Sequence, residues 1–525
     1  MNAVPLDQGP LSGDQKAGSN AGPETRRLPV LAAVDLGAES CRISLLRWVD
    51  GEPEIRLVHR FPNSASADGT GLHWDIGAIC KGVEDGLRTC AQLAPEGIAA
   101  IGVDGWAVDY VRLGPGGKPV GNPFCYRDER TGEAQKRVHS RISPQQLYEL
   151  TGIQILSINT LYQLVADQAA EQKLPWINVP EFVMHWLGAA RVSEYTNATA
   201  TQLLDFRDQA WCPELFTAAG LELNAAPSLV RPGTEIGRIQ GALASLPEFR
   251  ETKLIAPACH DTASAIAGIP GQEDDWAFIS SGTWSLVGCI LDSPCVSESA
   301  RIANFSNEGG VGGKIYFLKN VNGMWLLRQC IEHWRLQGHM WTVEQLVEAC
   351  SDIDTPDYLF DVDQPNLMLP GDIPARINAQ LKMAGQLPIP ERPEMAPQVA
   401  NLIFHSLANR YAAVLQNATS ITGRALTRIY VVGGGSRNTL LNQLTARATG
   451  LEVLTGSTES TTIGNLAIQL AALESDYSRN VGVSASAVAK WGGVLAAQPI
   501  GTSNGIHPRR VRETQSGLEK YSYDG

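Results

Sequence analysis

Residues Val30–Trp48 read VLAAVDLGAESCRISLLRW. Two β-rich apolar runs, Val30–Asp35 and Cys41–Trp48, flank Gly37-Ala38-Glu39, and a glycine-containing polar step between such runs is hairpin chemistry. A third run, Ile55–Phe61, extends the hairpin into a meander. The pattern returns in the second half, where WAFISSGTWSLVGCI over Trp276–Ile290 gives a strand to Ser280, a turn at Ser281-Gly282-Thr283 and a returning strand from Trp284. Two half-chains that open alike would set two hairpins about one cleft. Chance also supplies two glycine hairpins in 525 residues, so the repeat alone does not decide the fold.

Working outward from the first hairpin, Asp75–Ala94 carries apolar residues at three- and four-residue spacing, as an amphipathic helix requires. It leads to the apolar run Ile98–Val103, then Asp104-Gly105-Trp106 and another run, Val108–Leu113. Strands interleaved with helices imply an α/β fold. Ser143–Trp186 reads as helical, an insertion with its own local contacts. Beyond the second hairpin, helices are expected near Met324–Leu336 and Pro397–Thr422, then a strand Arg428–Val432, the triplet Gly433-Gly434-Gly435, a helix from about Asn438 and a last helix Ile463–Leu473. A chain of 525 residues exceeds one compact core. The division expected is a polar, disordered tail over 1–28, a first domain over 29–268, a second over 269–495, and a polar extension over 496–525.

The formal net charge of −13 speaks against nucleic acid or an anionic membrane as partner, both of which need a basic stripe. The first 28 residues lack the apolar core of a secretory signal, and no run approaches the ~18 apolar residues of a membrane span. The ten cysteines are scattered without zinc-site spacing, which suits buried thiols in a reducing compartment, the cytoplasm. Monomer and dimer both remain open.

Four groups carry candidate chemistry. Asp35-Leu36-Gly37 ends a buried strand, where a carboxylate beside exposed N–H groups suits Mg²⁺ and phosphate; turn capping is the bland alternative. In His260-Asp261-Thr262, Asp261 stands at the start of an Ala-rich helix, either as a cap or as a general base for a hydroxyl attacking phosphorus. Ser280-Ser281-Gly282-Thr283 offers hydroxyls to phosphate oxygens or is a plain Ser/Thr turn. Gly433-Gly434-Gly435 joins strand to helix and permits close ligand approach at a helix start, or merely a tight turn. A dinucleotide fold is the rival there, but its third glycine is missing at Asn438 and no convincing strand–helix–strand run follows. Gly309-Gly310-Val311-Gly312-Gly313-Lys314 imitates a phosphate loop, yet Glu308 stands where Walker spacing needs glycine and Ile315 where it needs Ser or Thr. It reads as a turn.

In this order and spacing, the four groups resemble the FGGY carbohydrate kinases of the actin/hexokinase/Hsp70 superfamily. Further matching stretches are IGVDGWAVDYVRL (101–113), YRDERT (126–131), ELTGIQ (149–154), NTLYQL (159–164), EYTNATATQL (194–203), NEGG (307–310), LKNVNGMWLL (318–327) and LLNQLTA (440–446). The resemblance implies two actin-like, ribonuclease H-like α/β domains, each a mixed sheet flanked by helices, closing over a cleft. It implies transfer of the ATP γ-phosphate to the 1-hydroxyl of L-rhamnulose, with other ketoses such as L-fuculose or L-xylulose as alternatives and a non-catalytic sugar sensor as a reading of another class. ATP would lie on Ala38, Glu39, Ser40, Cys41, Arg42, Thr283, Arg328, Gly433, Gly434 and Gly435. The sugar would contact Ala107, His260, Asp261, Thr262 and Asn320. Asp261 would accept the proton, and Asp35 would hold Mg²⁺ through water. Ala107 replaces a glycine of that family, Glu39 and Cys41 replace serine and glycine in the first hairpin, and Arg328 replaces glutamine.

Overall fold

Every residue of strand β1 (Leu31–Leu36) is buried. The computed structural model, which describes residues 28–168, 171, 173–271, 275–474, 482–496 and 510–511, sets β1 inside a six-stranded sheet. Its other strands are β2 (Ser40–Val49), β3 (Glu52–Pro62), β4 (Ala100–Gly105), β5 (Glu235–Arg238) and β6 (Lys253–Ile255), in the order β5-β6-β4-β1-β2-β3. A strand with neighbours on both sides and layers on both faces has no solvent face, hence the unbroken apolar run. β3, β2 and β1 are antiparallel, while β4 and β6 continue parallel to β1.

The second sheet comprises β7 (Trp276–Ser281), β8 (Trp284–Leu291), β9 (Ser306–Gly309), β10 (Ile315–Asn322), β11 (Arg428–Val432), β12 (Glu452–Thr455) and β13 (Arg510–Val511), ordered β9-β10-β8-β7-β11-β12-β13. Its run β10-β8-β7-β11-β12 repeats β3-β2-β1-β4-β6 strand for strand: three antiparallel, then two parallel. The two sequence hairpins therefore occupy equivalent places in two domains of one topology, a two-domain α/β fold with mixed sheets flanked by helices.

Helix α1 (Ile76–Leu93) starts where the Asp75 carboxylate accepts the Ala78 N–H at 2.9 Å and packs close to the first sheet. A Cβ on its Gly82 would lie 2.6 Å from the Phe61 ring. Further on come α2 (Asp261–Ala267), α3 (Trp325–Leu336), α4 (Ala396–Thr422), α5 (Thr439–Thr449), α6 (Ser460–Glu474) and α7 (Ala485–Ala496). Each sheet has its own apolar core. A third lies between them, where α2, α6 and α7 meet Leu31 and Ala33 of β1 and Phe278 of β7. There α2 and α6 cross at backbone contact: a Cβ on Gly464 would stand 1.8 Å from the Ser264 carbonyl oxygen. Although it comes late in the chain, α6 is bonded into the first sheet, with Asn465 Nδ2 on Asp104 Oδ2 at 2.6 Å and Gln469 Nε2 on the Ala32 carbonyl at 3.1 Å.

Several expectations are corrected. The stretch read as helical over Ser143–Trp186 contains a strand, Trp176–Asn178, paired antiparallel with Tyr110–Arg112; its partner is some 65 residues away, beyond the reach of local periodicity. The run Val108–Leu113 is a strand only over Tyr110–Arg112, because Val108 has φ +70°. The glycine triplet does enter a strand–helix–strand unit, since β12 pairs parallel with β11 after α5. The glycine run before Lys314 is the turn expected, a single 3₁₀ turn over Val311–Gly313. All ten cysteines are free thiols. Among the described residues no helix is long and apolar enough to cross a membrane. The expected tail lies almost wholly outside the described residues, as does the C-terminal extension apart from Ala496 and the strand β13.

Candidate active site

The β1–β2 hairpin closes in tight register, Asp35 opposite Arg42 and Leu36 opposite Cys41. At its tip a Cβ on Gly37 would stand 2.6 Å from the Ser40 carbonyl oxygen, so only glycine closes the turn. Asn63 ties the tip from behind, its N–H on the Glu39 carbonyl and its Nδ2 on the Gly37 carbonyl, both at 3.0 Å. The β7–β8 hairpin faces it and is seated on the start of α3, where the Met324 and Trp325 N–H groups donate to the Gly282 and Thr283 carbonyls at 3.1 and 3.2 Å. The third element is the glycine triplet, whose members differ. Gly433 has φ +80°, and a Cβ on Gly435 would stand 1.9 Å from Ser281 Oγ, while one on Gly434 would meet nothing within 4 Å. Two glycines thus pack the turn against the second hairpin, and the third faces open space.

A cavity of about 310 Å³ runs between these elements. Ala38, Glu39, Ser40, Arg42, Thr283, Arg328, Gly433 and Gly434 line it, as do Ala107, His260, Asp261, Thr262 and Asn320. Three other residues singled out in the sequence do not. Cys41 is buried with its Sγ toward the Gly37 carbonyl, and Gly435 is packed on Ser281. Asp35 lies beneath the hairpin, its Oδ2 accepting from Arg42 Nη2 at 2.5 Å.

Asp261 is the first residue of α2, with His260 as N-cap. Its Oδ1 accepts the Thr262 N–H at 2.6 Å, which fixes the carboxyl at the mouth of the helix. Behind it lies a buried acidic support: Glu194 accepts the Cys259 N–H at 2.8 Å, and Glu181 accepts the Glu194 N–H at 3.0 Å and Asn197 Nδ2 at 2.9 Å. Burial pushes Glu181 up to about 8 and Glu194 to about 7. Asp35 is likewise raised to about 6, by burial before the opposing pull of Arg42, with Asp261 and Glu459 adding. Asp104, its parallel neighbour in register, is raised well above the usual range by burial and by Asp35, and its Oδ1 has no partner.

Another part of the cavity wall was only partly legible in the sequence. Val108 holds its positive φ because Thr160 Oγ1 and Gln163 Nε2 donate to its carbonyl at 2.7 and 3.3 Å. Asp109 beside it accepts from both Trp74 and Trp106 Nε1, at 2.6 and 3.0 Å. A β-branched residue in that conformation persists only when its surroundings over-determine it; here they present Ala107 and Trp106 to the cavity. Gln154 Oε1 accepts from Asn320 N and Nδ2 at 2.8 and 3.2 Å.

Glu308, on β9, was missed as a site residue. It lines the cavity with Oε2 3.1 Å from His260 Nδ1, an ion-pair distance without hydrogen-bond alignment. Burial works against charge on His260, but Glu308, then Asp261 and Glu194, hold the imidazole above its ordinary 6.5. A raised histidine contributes stability fully below its unfolded pKa and loses that contribution as pH rises through the folded one. Glu308→Gln is therefore expected to cost about 3 kcal/mol in mildly acidic solution, with a gap to the parent that narrows as pH rises. Urea unfolding of both proteins across pH checks this; a gap independent of pH would leave His260 uncharged.

Two hydroxyl-bearing hairpins, a glycine turn and a helix-mounted carboxylate around one cleft have the layout of a sugar kinase. Residues 30–268 match the N-terminal domain and residues 277–473 the C-terminal domain of the FGGY family of carbohydrate kinases, and the chain belongs to that family. It is 38% identical to the rhamnulokinase of Bacteroides thetaiotaomicron over 442 residues, 83% of this chain and 89% of that protein. With the rhamnulokinase of Enterococcus faecalis it shares 36% over 447 residues, 84% and 88% of the two chains. The fold is similar to that of a ligand-bound xylulose kinase from Lactobacillus acidophilus, with a TM-score of 0.70 at 16% identity over 92% of this chain and 93% of that one.

Proposed function

We propose that this protein is a cytoplasmic kinase that transfers the γ-phosphate of ATP to the 1-hydroxyl of L-rhamnulose, giving L-rhamnulose 1-phosphate and ADP. The observation that carries the reaction is that one cavity is lined by Asp261 and by both hairpins. The two rhamnulokinases above support the sugar.

In this reading the triphosphate lies on the hairpin tips, where Ser40, Thr283 and backbone N–H groups donate to its oxygens, and the nucleoside lies over Gly434. Ala107, His260, Thr262 and Asn320 orient the ketose, and Asp261 accepts the proton of its 1-hydroxyl. The phosphoryl transition state is loose, so positioning that hydroxyl in line matters more than early proton removal. Mg²⁺ would be held through water, by Asp35, and by the phosphates. Burial and mutual proximity disfavour charge on both Asp35 and Asp104, and a divalent cation bound near them would favour their ionised forms. When bound, the ion would neutralise charge on the phosphates.

Ala107 narrows the sugar end by a methyl relative to glycine, and one methyl(ene) in a pocket is worth ~1–3 kcal/mol; L-fuculose and L-xylulose are the competing substrates. Coupled ADP release with the three ketoses is expected to give the highest kcat/KM on L-rhamnulose. A preference for either competitor overturns the substrate, and no ADP release above background from any sugar overturns the kinase.

A further inference from the structure

We infer that Glu39 serves as an internal counter-anion of the phosphate end: in the free protein its carboxylate bridges the two hairpins through Thr283 and Arg328, and an incoming nucleoside triphosphate displaces it. The inference rests on the kinase reading above. Glu39 stands at the hairpin tip with its side chain 45% exposed, free to extend into water. Instead it turns across the cleft, where Oε1 accepts from Thr283 Oγ1 at 3.0 Å and the carboxylate pairs with the Arg328 guanidinium.

Those two partners form one unit of the opposite domain. The Thr283 carbonyl accepts the Trp325 N–H at 3.2 Å at the start of α3, and Arg328 follows on the same helix. The other guanidinium groups at this end are engaged within their own neighbourhoods. Arg42 lies between Asp35 at 2.5 Å and Glu459 at 3.2 Å, and Arg60 donates to Ser40 Oγ at 3.1 Å. Among the described residues, Glu39 is the carboxylate paired with Arg328.

A hydroxyl and a guanidinium presented side by side suit any two-oxygen anion face, carboxylate or phosphate alike. A half-exposed ion pair is weak, so a triphosphate of higher charge takes the guanidinium. Glu39, now repelled, swings out to solvent from its place at the tip. Glu39 thus sets the nucleotide affinity of the free protein and ties the two hairpins together before nucleotide arrives.

Calorimetric titration with ADP and with a non-hydrolysable ATP analogue, each with and without Mg²⁺, tests this on the parent, Glu39→Gln, Arg328→Gln and the double variant. Thermal unfolding of each verifies that it is folded. Glu39→Gln is expected to bind the nucleotides roughly two- to fivefold more tightly, with or without Mg²⁺. Arg328→Gln should weaken binding, and on that background Glu39→Gln should gain less than it does alone. Unchanged or weaker binding by Glu39→Gln overturns the inference, as does an additive cycle. Weakening seen only with Mg²⁺ would instead make Glu39 a ligand of nucleotide-bound metal. A parent protein that binds no nucleotide at all sinks the kinase reading and this inference with it, a result distinct from a parent that binds and a Glu39 variant that gains nothing.

Discussion

Asp261→Asn is expected to bind ATP as the parent does while turning over about 10²–10⁴-fold more slowly, the usual worth of a general base. The substitution is chosen for what it preserves. Asparagine Oδ1 still accepts the Thr262 N–H, now at 2.6 Å, and His260, not Asp261, is the N-cap of α2, so the helix start keeps its bonds. What disappears is the group that takes a proton. The nucleotide would be held by the hairpins and Gly434, none of which the substitution alters, so calorimetry should give the parental dissociation constant for ATP beside a collapsed kcat. If Asp261→Asn turns over near the parental rate, the residue is only a first-turn acid favoured by the helix dipole, and the proton leaves by another route.

Gly464→Ala is expected to destabilise the protein by about 3 kcal/mol, at the upper end of overpacking effects, and to lower kcat as well. The new Cβ would stand 1.8 Å from the Ser264 carbonyl oxygen and press on the backbone of α2, with no flexible side-chain tip to give way. Separating α2 from α6 shifts the helix that carries Asp261 and strains the bond from Asn465 to Asp104. The urea midpoint is the measurement, and Gly493→Ala on α7 is the control, since nothing lies within 4 Å of its added Cβ. That control should be neutral or gain about 0.5–1 kcal/mol from helix propensity. Equal midpoints for parent and Gly464→Ala would mean that the crossing relaxes freely.

Features carried by short-range chemistry were legible in the sequence: the two hairpins, the helix starting at Asp261, the glycine triplet and the turn before Lys314. Most of the residues drawn from them line the cavity for the same reason, since strand ends and helix starts project into it. Features set by partners distant in the chain were not legible. Glu308 directly precedes a glycine-rich run that reads as a turn, and only its approach to His260 from the other domain makes it part of the site. Trp176–Asn178 becomes a strand only against Tyr110–Arg112. Nothing local announces that Val108 takes a left-handed backbone, because two donors from Thr160 and Gln163 hold it there. Asp35 and Cys41 adjoin the hairpin in sequence, but the pleat sends Cys41 to the face opposite Arg42, and Asp35, on the face of Arg42, lies under its guanidinium.

Helix α6 also bears on how the chain is made. The first sheet is complete once Lys253–Ile255 has been synthesised, yet the face of β1 and β4 that receives Asn465 and Gln469 waits for Ser460–Glu474. Roughly 190 residues separate Ala267 from Ser460, some 10–40 s of translation at ~5–20 residues per second. Throughout that interval the nascent first domain lacks the cover that α6 gives to Leu31, Ala33 and the apolar side of α2. The acid that would serve as the base is thus made long before the helix that locks it in place.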